Sequence, residues 1–230
     1  MGFQDDRSKR LLITIDGPAG AGKTSVSKRV ARHLGYHYMD TGALYRAVGL
    51  AADAAGVAAD DDAALAALCR RTRIDLQTTE SGLRVLLNGK DVTGVIRTPH
   101  ISMMASAVSA RPVVRDFLLN TQRTLGERKG VVAEGRDMGT VVFPHADMKF
   151  FLDADPAVRA RRRFDELNAG RQGGPSMASV EKEMALRDKN DSSRVLAPLK
   201  PAPDAVYIDA THHDLDQVVA EMLMHIRCAT

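Results

Sequence analysis

Residues Gly17 to Thr24 read G-P-A-G-A-G-K-T and match G-x-x-x-x-G-K-[ST] at every fixed position. Glycine lets backbone N–H groups curl round phosphate oxygens that a side chain would obstruct. Gly17, Pro18, Ala19, Gly20, Ala21 and Gly22 therefore form a candidate cradle for ATP phosphates. Lys23 would reach the β- and γ-phosphates as a point charge, and the Thr24 hydroxyl suits Mg²⁺, with Ser25 as its understudy. The glycine spacing excludes the dinucleotide fingerprint G-x-G-x-x-G.

Seven arginines form the second chemical feature. Arg46, Arg136, Arg159, Arg162, Arg163, Arg187 and Arg194 all fall in predicted loops or near helix ends. Transfer between two phosphate groups gathers several negative charges, and the planar arginine fork both neutralises and orients them. A phosphate acceptor is already ionised, so no general base is required. No N-K-x-D guanine-reading motif is present, which weighs against a GTPase. A small-molecule kinase is expected. A regulatory ATP-binding protein acting through a partner is the rival of a different class.

These groups need a frame. Leu11–Asp16 is a short apolar run bounded by glycine, the pattern of a buried strand. Val26, Val30 and Leu34 line one face of a helix over Thr24–Leu34, which Gly35 stops. A strand over Tyr36–Met39 and helices over Thr41–Ala55 and Asp60–Arg71 follow. Ile74–Gln77, Leu83–Leu87 and Asp91–Val95 read as short strands, with Asn88-Gly89 as a hairpin turn. One helix is predicted over Pro99–Glu127, then strands over Gly130–Ala133 and Met148–Leu152. A basic helix over Arg159–Gly170, a glycine break over Arg171–Pro175 and a helix over Ser179–Lys189 come next. Val195–Pro203 is a proline-rich connection, and strand Val206–Asp209 and helix Leu215–Cys228 end the chain. Strands alternating with helices predict an α/β fold with a doubly wound parallel sheet. Residues 1–10 read as a charged tail and 11–230 as a single domain.

Composition removes other classes. The chain has 230 residues, 32 Lys plus Arg and 29 Asp plus Glu, for a formal net charge of +3. A hydrophobic share of 44% is too high for a disordered chain, and no apolar run is long enough to span a membrane. Weak net charge, four Tyr, six Phe and no Trp argue against a nucleic-acid binder. Two distant cysteines, Cys69 and Cys228, make neither a disulfide framework nor a zinc site, and no apolar signal core opens the chain. A cytoplasmic protein is expected. The seven histidines show no metal-ligand spacing.

Four further stretches resemble the bacterial cytidylate kinases: M-D-T-G-A-L-Y-R (Met39 to Arg46), E-G-R-D-M-G-T-V-V-F-P (Glu134 to Pro144), L-R-D-K-N-D-S-S-R (Leu186 to Arg194) and A-P-L-K-P-A (Ala197 to Ala202). The resemblance runs from Leu11 to the last helix. It implies a P-loop nucleoside monophosphate kinase fold that moves the γ-phosphoryl of ATP to CMP or dCMP with Mg²⁺, and a monomer is expected. It also implies a monophosphate-binding insertion at about 40–110, β-rich at 72–96, and a helical lid at about 157–195. Within that frame Ser106, Arg115 and Asp137 fall at base-reading positions, with Arg194 nearby. Arg46, Arg136 and Arg187 fall at the acceptor phosphate, Thr41 and Tyr45 line its pocket, and Asp191 sits at the ribose position. Arg159, Arg162 and Arg163 match lid arginines over the ATP phosphates. Lys23, Arg136, Arg159 and Arg163 are the expected catalytic set. Thr24 and Asn190 to Ser193 fall where such kinases vary.

The residue types suit the base independently of the resemblance. Cytosine offers an N4 donor beside N3 and O2 acceptors; Ser106 and Asp137 can accept, and Arg115 and Arg194 can donate. Plainer readings stand beside these: Ser106 as a helix serine, Asp137 as a partner of Arg136, Tyr45 as a core aromatic. Arg187, Asp191 and Arg194 are spaced i, i+4, i+7, one face if the helix runs that far. UMP or another small metabolite remains an alternative acceptor.

Overall fold

The structure, a computed structural model, describes residues 10–79, 82–127, 129–169 and 174–228. Most of the expected N-terminal tail and residues 171–173 of the expected glycine break lie outside them. The apolar run near the N-terminus becomes β1 (Leu12–Asp16), followed by α1 (Lys23–Leu34), β2 (His37–Asp40) and α2 (Thr41–Ala54). Next come α3 (Asp62–Arg70), β3 (Ile74–Thr79), β4 (Gly82–Leu87), β5 (Lys90–Asp91), α4 (Pro99–Val108) and α5 (Pro112–Gly126). The chain closes with β6 (Val131–Gly135), β7 (Met148–Asp153), α6 (Pro156–Asn168), α7 (Met177–Ser193), β8 (Val206–Asp209) and α8 (Leu215–Cys228).

Five strands form one parallel sheet in the order β2-β6-β1-β7-β8. The doubly wound expectation is met. Chain order reverses on either side of β1, and a crevice opens there at the carboxyl ends of the strands. Register fixes what lines that edge: Asp16 lies opposite Gly135, and Asp40 opposite Glu134. Strands β3, β4 and β5 make a separate antiparallel sheet. Asn88 and Gly89 both have positive φ, 49° and 82°, as the tight hairpin turn between β4 and β5 requires.

Two expected elements came out differently. The strand expected over Asp91–Val95 pairs only at Lys90–Asp91. Asp91 accepts from the backbone N–H and hydroxyl of Thr93, an Asx turn that competes with the ladder, and Val95 enters a 3₁₀ turn over Val95–Arg97. The single helix expected over Pro99–Glu127 is two helices. Proline disfavours helical backbone in the residue before it, and Arg111 is extended (φ −89°, ψ 128°) so that Pro112 can start α5.

The largest core packs α2, α3, α4 and α5 with the antiparallel sheet around Leu44, Leu65, Ile96 and Leu118, none more than 1% exposed. Leu44 shares α2 with Thr41, Tyr45 and Arg46, so this core sets the helix that presents those groups. Truncating a buried leucine loses transfer free energy and leaves a cavity. Leu44→Ala should lower unfolding stability by about 3 kcal/mol. Urea titration of the nucleotide-free chain would measure it, and a loss below about 1 kcal/mol would mean the site collapses without cost.

Candidate active site

The phosphate loop joins β1 to α1 across the crevice. Gly17 has φ 148°, and a Cβ there would sit 1.9 Å from the carbonyl oxygen of Leu152 on the neighbouring β7, so only glycine fits. Gly22 caps α1 in the left-handed region and supplies no side-chain acceptor. The first N–H groups of α1 therefore face the loop with the positive end of the helix dipole, the arrangement that suits an anion. Lys23 is buried and donates to the Pro18 carbonyl at 2.6 Å. Burial, then the charge of Arg136, hold its ammonium well below the usual lysine range, against the pull of Glu134 and Asp16.

Beside the loop, the Thr24 hydroxyl donates to Glu134 Oε1 at 2.8 Å, and the Tyr38 hydroxyl donates to the same oxygen. Burial, then the neighbouring Asp40, push the Glu134 carboxyl up. Its Oε2 is buried with no hydrogen-bond partner. An unpartnered carboxylate oxygen beside a threonine hydroxyl is hard-donor chemistry that fits Mg²⁺. No cluster of three or more His, Cys, Asp or Glu suited to a metal occurs among the described residues.

Across the crevice, the Thr41 hydroxyl donates to the Glu134 carbonyl at 2.7 Å and fixes the start of α2 against β6. Asp40 caps α2 through the Ala43 N–H and holds Arg46 at 2.8 Å and Arg97 at 3.5 Å. Asp191 accepts from Ser106 at 3.1 Å and from Arg136 Nε at 2.9 Å. Nearby charges of Arg136, Arg187 and Arg194 outweigh its burial and keep it below the usual carboxylate range. Asp137 is buried and paired with Arg115, and the Arg194 guanidinium lies 3.8 Å from its other oxygen. The Arg115 guanidinium also lies 5.9 Å from the centre of the Tyr45 ring. Asp137 thus bonds Arg115, not its chain neighbour Arg136.

Arg187 stands out among these. Burial, then the charge of Arg136, push its guanidinium down to about 10, and its buried Nε has no partner. A positive charge is being held beside others of its sign.

One cleft of about 630 Å³ is bordered by the phosphate loop from Ala19 to Ser25, by Arg136 and Arg187, and by Ser106 and Asp137. Arg115 lies behind Asp137 rather than on the wall. On α6 the three arginines part company. Arg162 donates to the Ala210 carbonyl at 2.7 Å and Arg163 to Glu166 at 2.8 Å, and both border the cleft. Arg159 is buried and donates to the carbonyls of Ala154 (2.9 Å) and Ala19 (3.1 Å) and to Asp188 (2.6 Å). It grips the phosphate loop from behind. Arg194 follows the last turn of α7 in extended backbone, so the shared helix face covers Arg187 and Asp191 only.

Sequence reasoning passed over Asp16, Asp40, Glu134, Tyr38, Arg97 and Asp188. Asp16, Asp40 and Glu134 shared one available signal: each is an acid at the carboxyl end of an apolar, buried-strand pattern.

Residues 13–228 match the family model described as Cytidylate kinase. The chain belongs to the cytidylate kinase family. A protein named cytidylate kinase from Syntrophotalea carbinolica is 49% identical over 94% of this chain and 92% of its own length. Another of that name from Geobacter sulfurreducens is 49% identical over 94% of this chain and 93% of its own. One from Symbiobacterium thermophilum is 46% identical over 96% of this chain and 98% of its own. Family membership extends over both walls of the cleft, from Gly17 to Arg194.

The crowding of like charge has a measurable consequence. Sulfate should raise the melting temperature of the nucleotide-free chain more than chloride of equal ionic strength, by its general exclusion from protein surface and, beyond that, by binding at the cleft arginines. Arg187→Met should raise the sulfate-free melting temperature by about 3 °C and weaken the sulfate response. A lower melting temperature in the variant would show that Arg187 is compensated in the folded state.

Proposed function

We infer that the cleft carries out ATP-dependent phosphorylation of CMP and dCMP, giving CDP and dCDP by direct transfer with Mg²⁺. The observation that carries this reading is the pairing of Asp137 with Arg115 and Arg194 in the cleft that Ser106 and the phosphate loop also line. An acceptor set and a donor set side by side suit cytosine: acceptors for N4, donors for N3 and O2. Uracil carries O4 and N3–H instead and would leave both sets unpaired, which is costly for buried groups.

The acceptor phosphate of CMP lies against Arg46, Arg136 and Arg187, with Thr41 and Tyr45 beside it. Asp191 takes the ribose 3′-hydroxyl, which CMP and dCMP share. An oxygen of the acceptor phosphate attacks the γ-phosphorus in line. The bond from that phosphorus to the bridging oxygen breaks, and ADP leaves. No proton is removed from an ionised acceptor, so the protein contributes alignment and charge. Gly17 to Gly22, Thr24 and Ser25 hold the ATP phosphates, and Lys23 neutralises the charge shared by donor and acceptor. Mg²⁺, held by Thr24 beside Glu134, would supply charge neutralisation on the β- and γ-phosphates. Arg162 and Arg163 stand on the cleft wall of α6, and Arg159 steadies the loop through Ala19.

The same reading organises the chain. Residues 11–230 form one kinase domain, with a monophosphate-binding insertion at about 40–110, β-rich at 72–96, and a helical lid at about 157–195. Closure of the lid excludes water, which would otherwise accept the phosphoryl group. The protein acts as a cytoplasmic monomer on small nucleotides, with neither nucleic acid nor membrane as partner. No described helix is long and apolar enough to cross a membrane.

Coupled ADP release with CMP, dCMP, UMP and AMP tests the reading. CMP and dCMP should be turned over well ahead of UMP and AMP. Equal turnover of CMP and AMP would sink the base assignment, and ATP binding without acceptor-stimulated turnover would favour a regulatory role. Lys23→Ala should lower kcat at least about 10³-fold with every acceptor, since it removes charge used in transfer itself. Asp137→Ala should narrow the preference for CMP over UMP by about 10-fold or more. Intact discrimination in that variant would make Asp137 a structural residue.

A further inference from the structure

Asp137 stands at the N-cap position of a short π-type turn, Met138–Val142. An aspartate there ordinarily folds its carboxylate onto the first free N–H groups of its own turn. Here it makes no such bond, and its backbone (φ −146°, ψ 22°) is neither helical nor extended. The free N–H groups are taken from elsewhere. Met138 N–H donates to Asp16 Oδ1 at 2.8 Å and Gly139 N–H to Asp16 Oδ2 at 2.7 Å. Asp16 is 3% exposed, and it ends β1 immediately before Gly17. Both of its oxygens are therefore used on a turn more than 120 residues away.

We propose that Asp16 is a positioning residue for acceptor-base recognition: it caps the Met138 turn in place of Asp137 and so frees the Asp137 carboxylate for Arg115, Arg194 and the base. The two roles of Asp137 compete. A carboxylate bonded to Met138 or Gly139 cannot also sit between the Arg115 and Arg194 guanidinium groups. With Asp16 present, the N–H groups are satisfied and the carboxylate is left to Arg115 behind it and to Arg194. The same residue joins the two halves of the reaction, since the strand end that launches the phosphate loop also sets the base reader. The packing leaves little slack. A Cβ on Gly139 would lie 3.1 Å from Thr14 Oγ1 and 3.2 Å from Lys149, so the turn sits directly on the sheet.

This rests on the reading of Asp137 as the base-reading acid, and the experiment separates the two. Steady-state kcat/KM for CMP and for UMP is measured for the wild type, Asp16→Ala, Asp137→Ala and the double variant, with KM for ATP alongside. Asp16→Ala should lower the CMP-to-UMP ratio about 10-fold, the size expected for a lost cap, with KM for ATP changed by less than about two-fold. In the Asp137→Ala background the same substitution should leave the ratio unchanged, because Asp16 acts through Asp137. CMP and UMP turnover falling in equal proportion would overturn the proposal, as would effects on the ratio that multiply in the double variant. No CMP preference in the wild type would instead overturn the base assignment beneath it. If Asp16→Ala does not fold, Asp16→Asn keeps the shape with one acceptor oxygen. It should still lower the CMP-to-UMP ratio, and an unchanged ratio in that variant would overturn the proposal.

Discussion

Crowding of like charge governs this molecule. Arg46, Arg136, Arg187 and Arg194 converge on one cleft with Lys23, and their mutual repulsion is bracketed by a few carboxylates. Asp40 holds Arg46, Asp191 holds Arg136, and Asp137 holds Arg115 with Arg194 close by. The bracketing is incomplete: Lys23 and Arg187 are both pushed below their usual ranges, and Arg187 Nε has no partner. Charge left over in this way is what a polyanionic pair of substrates completes. Stability given up at such a site is returned when the nucleotide binds.

The parallel sheet makes the crowding possible. The buried strands deliver acids to the same edge: Asp16 ends β1 opposite Gly135, and Asp40 ends β2 opposite Glu134. The helices then begin at that edge and bring their own first residues with them: Lys23 and Thr24 on α1, Thr41 and Arg46 on α2. Arg187 of α7 and Arg136, which directly follows β6, complete the lining. Each acid at the sheet edge fixes an element as well as a charge. Asp40 caps α2 while it holds Arg46, and Asp16 caps the turn after Asp137 while it ends β1.

Local chemistry was readable wherever a single segment carries the whole mechanism. Gly17 to Thr24 specify a phosphate cradle without help from distant residues, and Asn88-Gly89 specify a hairpin turn through their own backbone preferences. The split of Pro99–Glu127 was also legible at Pro112, although the apolar spacing masked it. Asp91 was harder, since its bonds to Thr93 compete with strand pairing and only the partner strand decides between them. Arg159 shows the limit for side chains. Its spacing from Arg163 places both on one helix face, yet burial against Ala19 and Asp188 turns it into a support for the loop.

By itself the sequence determined the phosphate loop, the alternation of strand and helix that makes a parallel sheet, and the supply of arginines for a polyanionic substrate. These follow from backbone freedom, hydrophobic period and side-chain charge, which are properties of short segments. Only the tertiary structure decided the pairings: Asp191 with Ser106 and Arg136, Asp137 with Arg115, Glu134 with Thr24 and Tyr38, and Asp16 with the turn at Met138. Each joins residues far apart in the chain. Their distances depend on sheet register and helix packing, and no local pattern encodes either one.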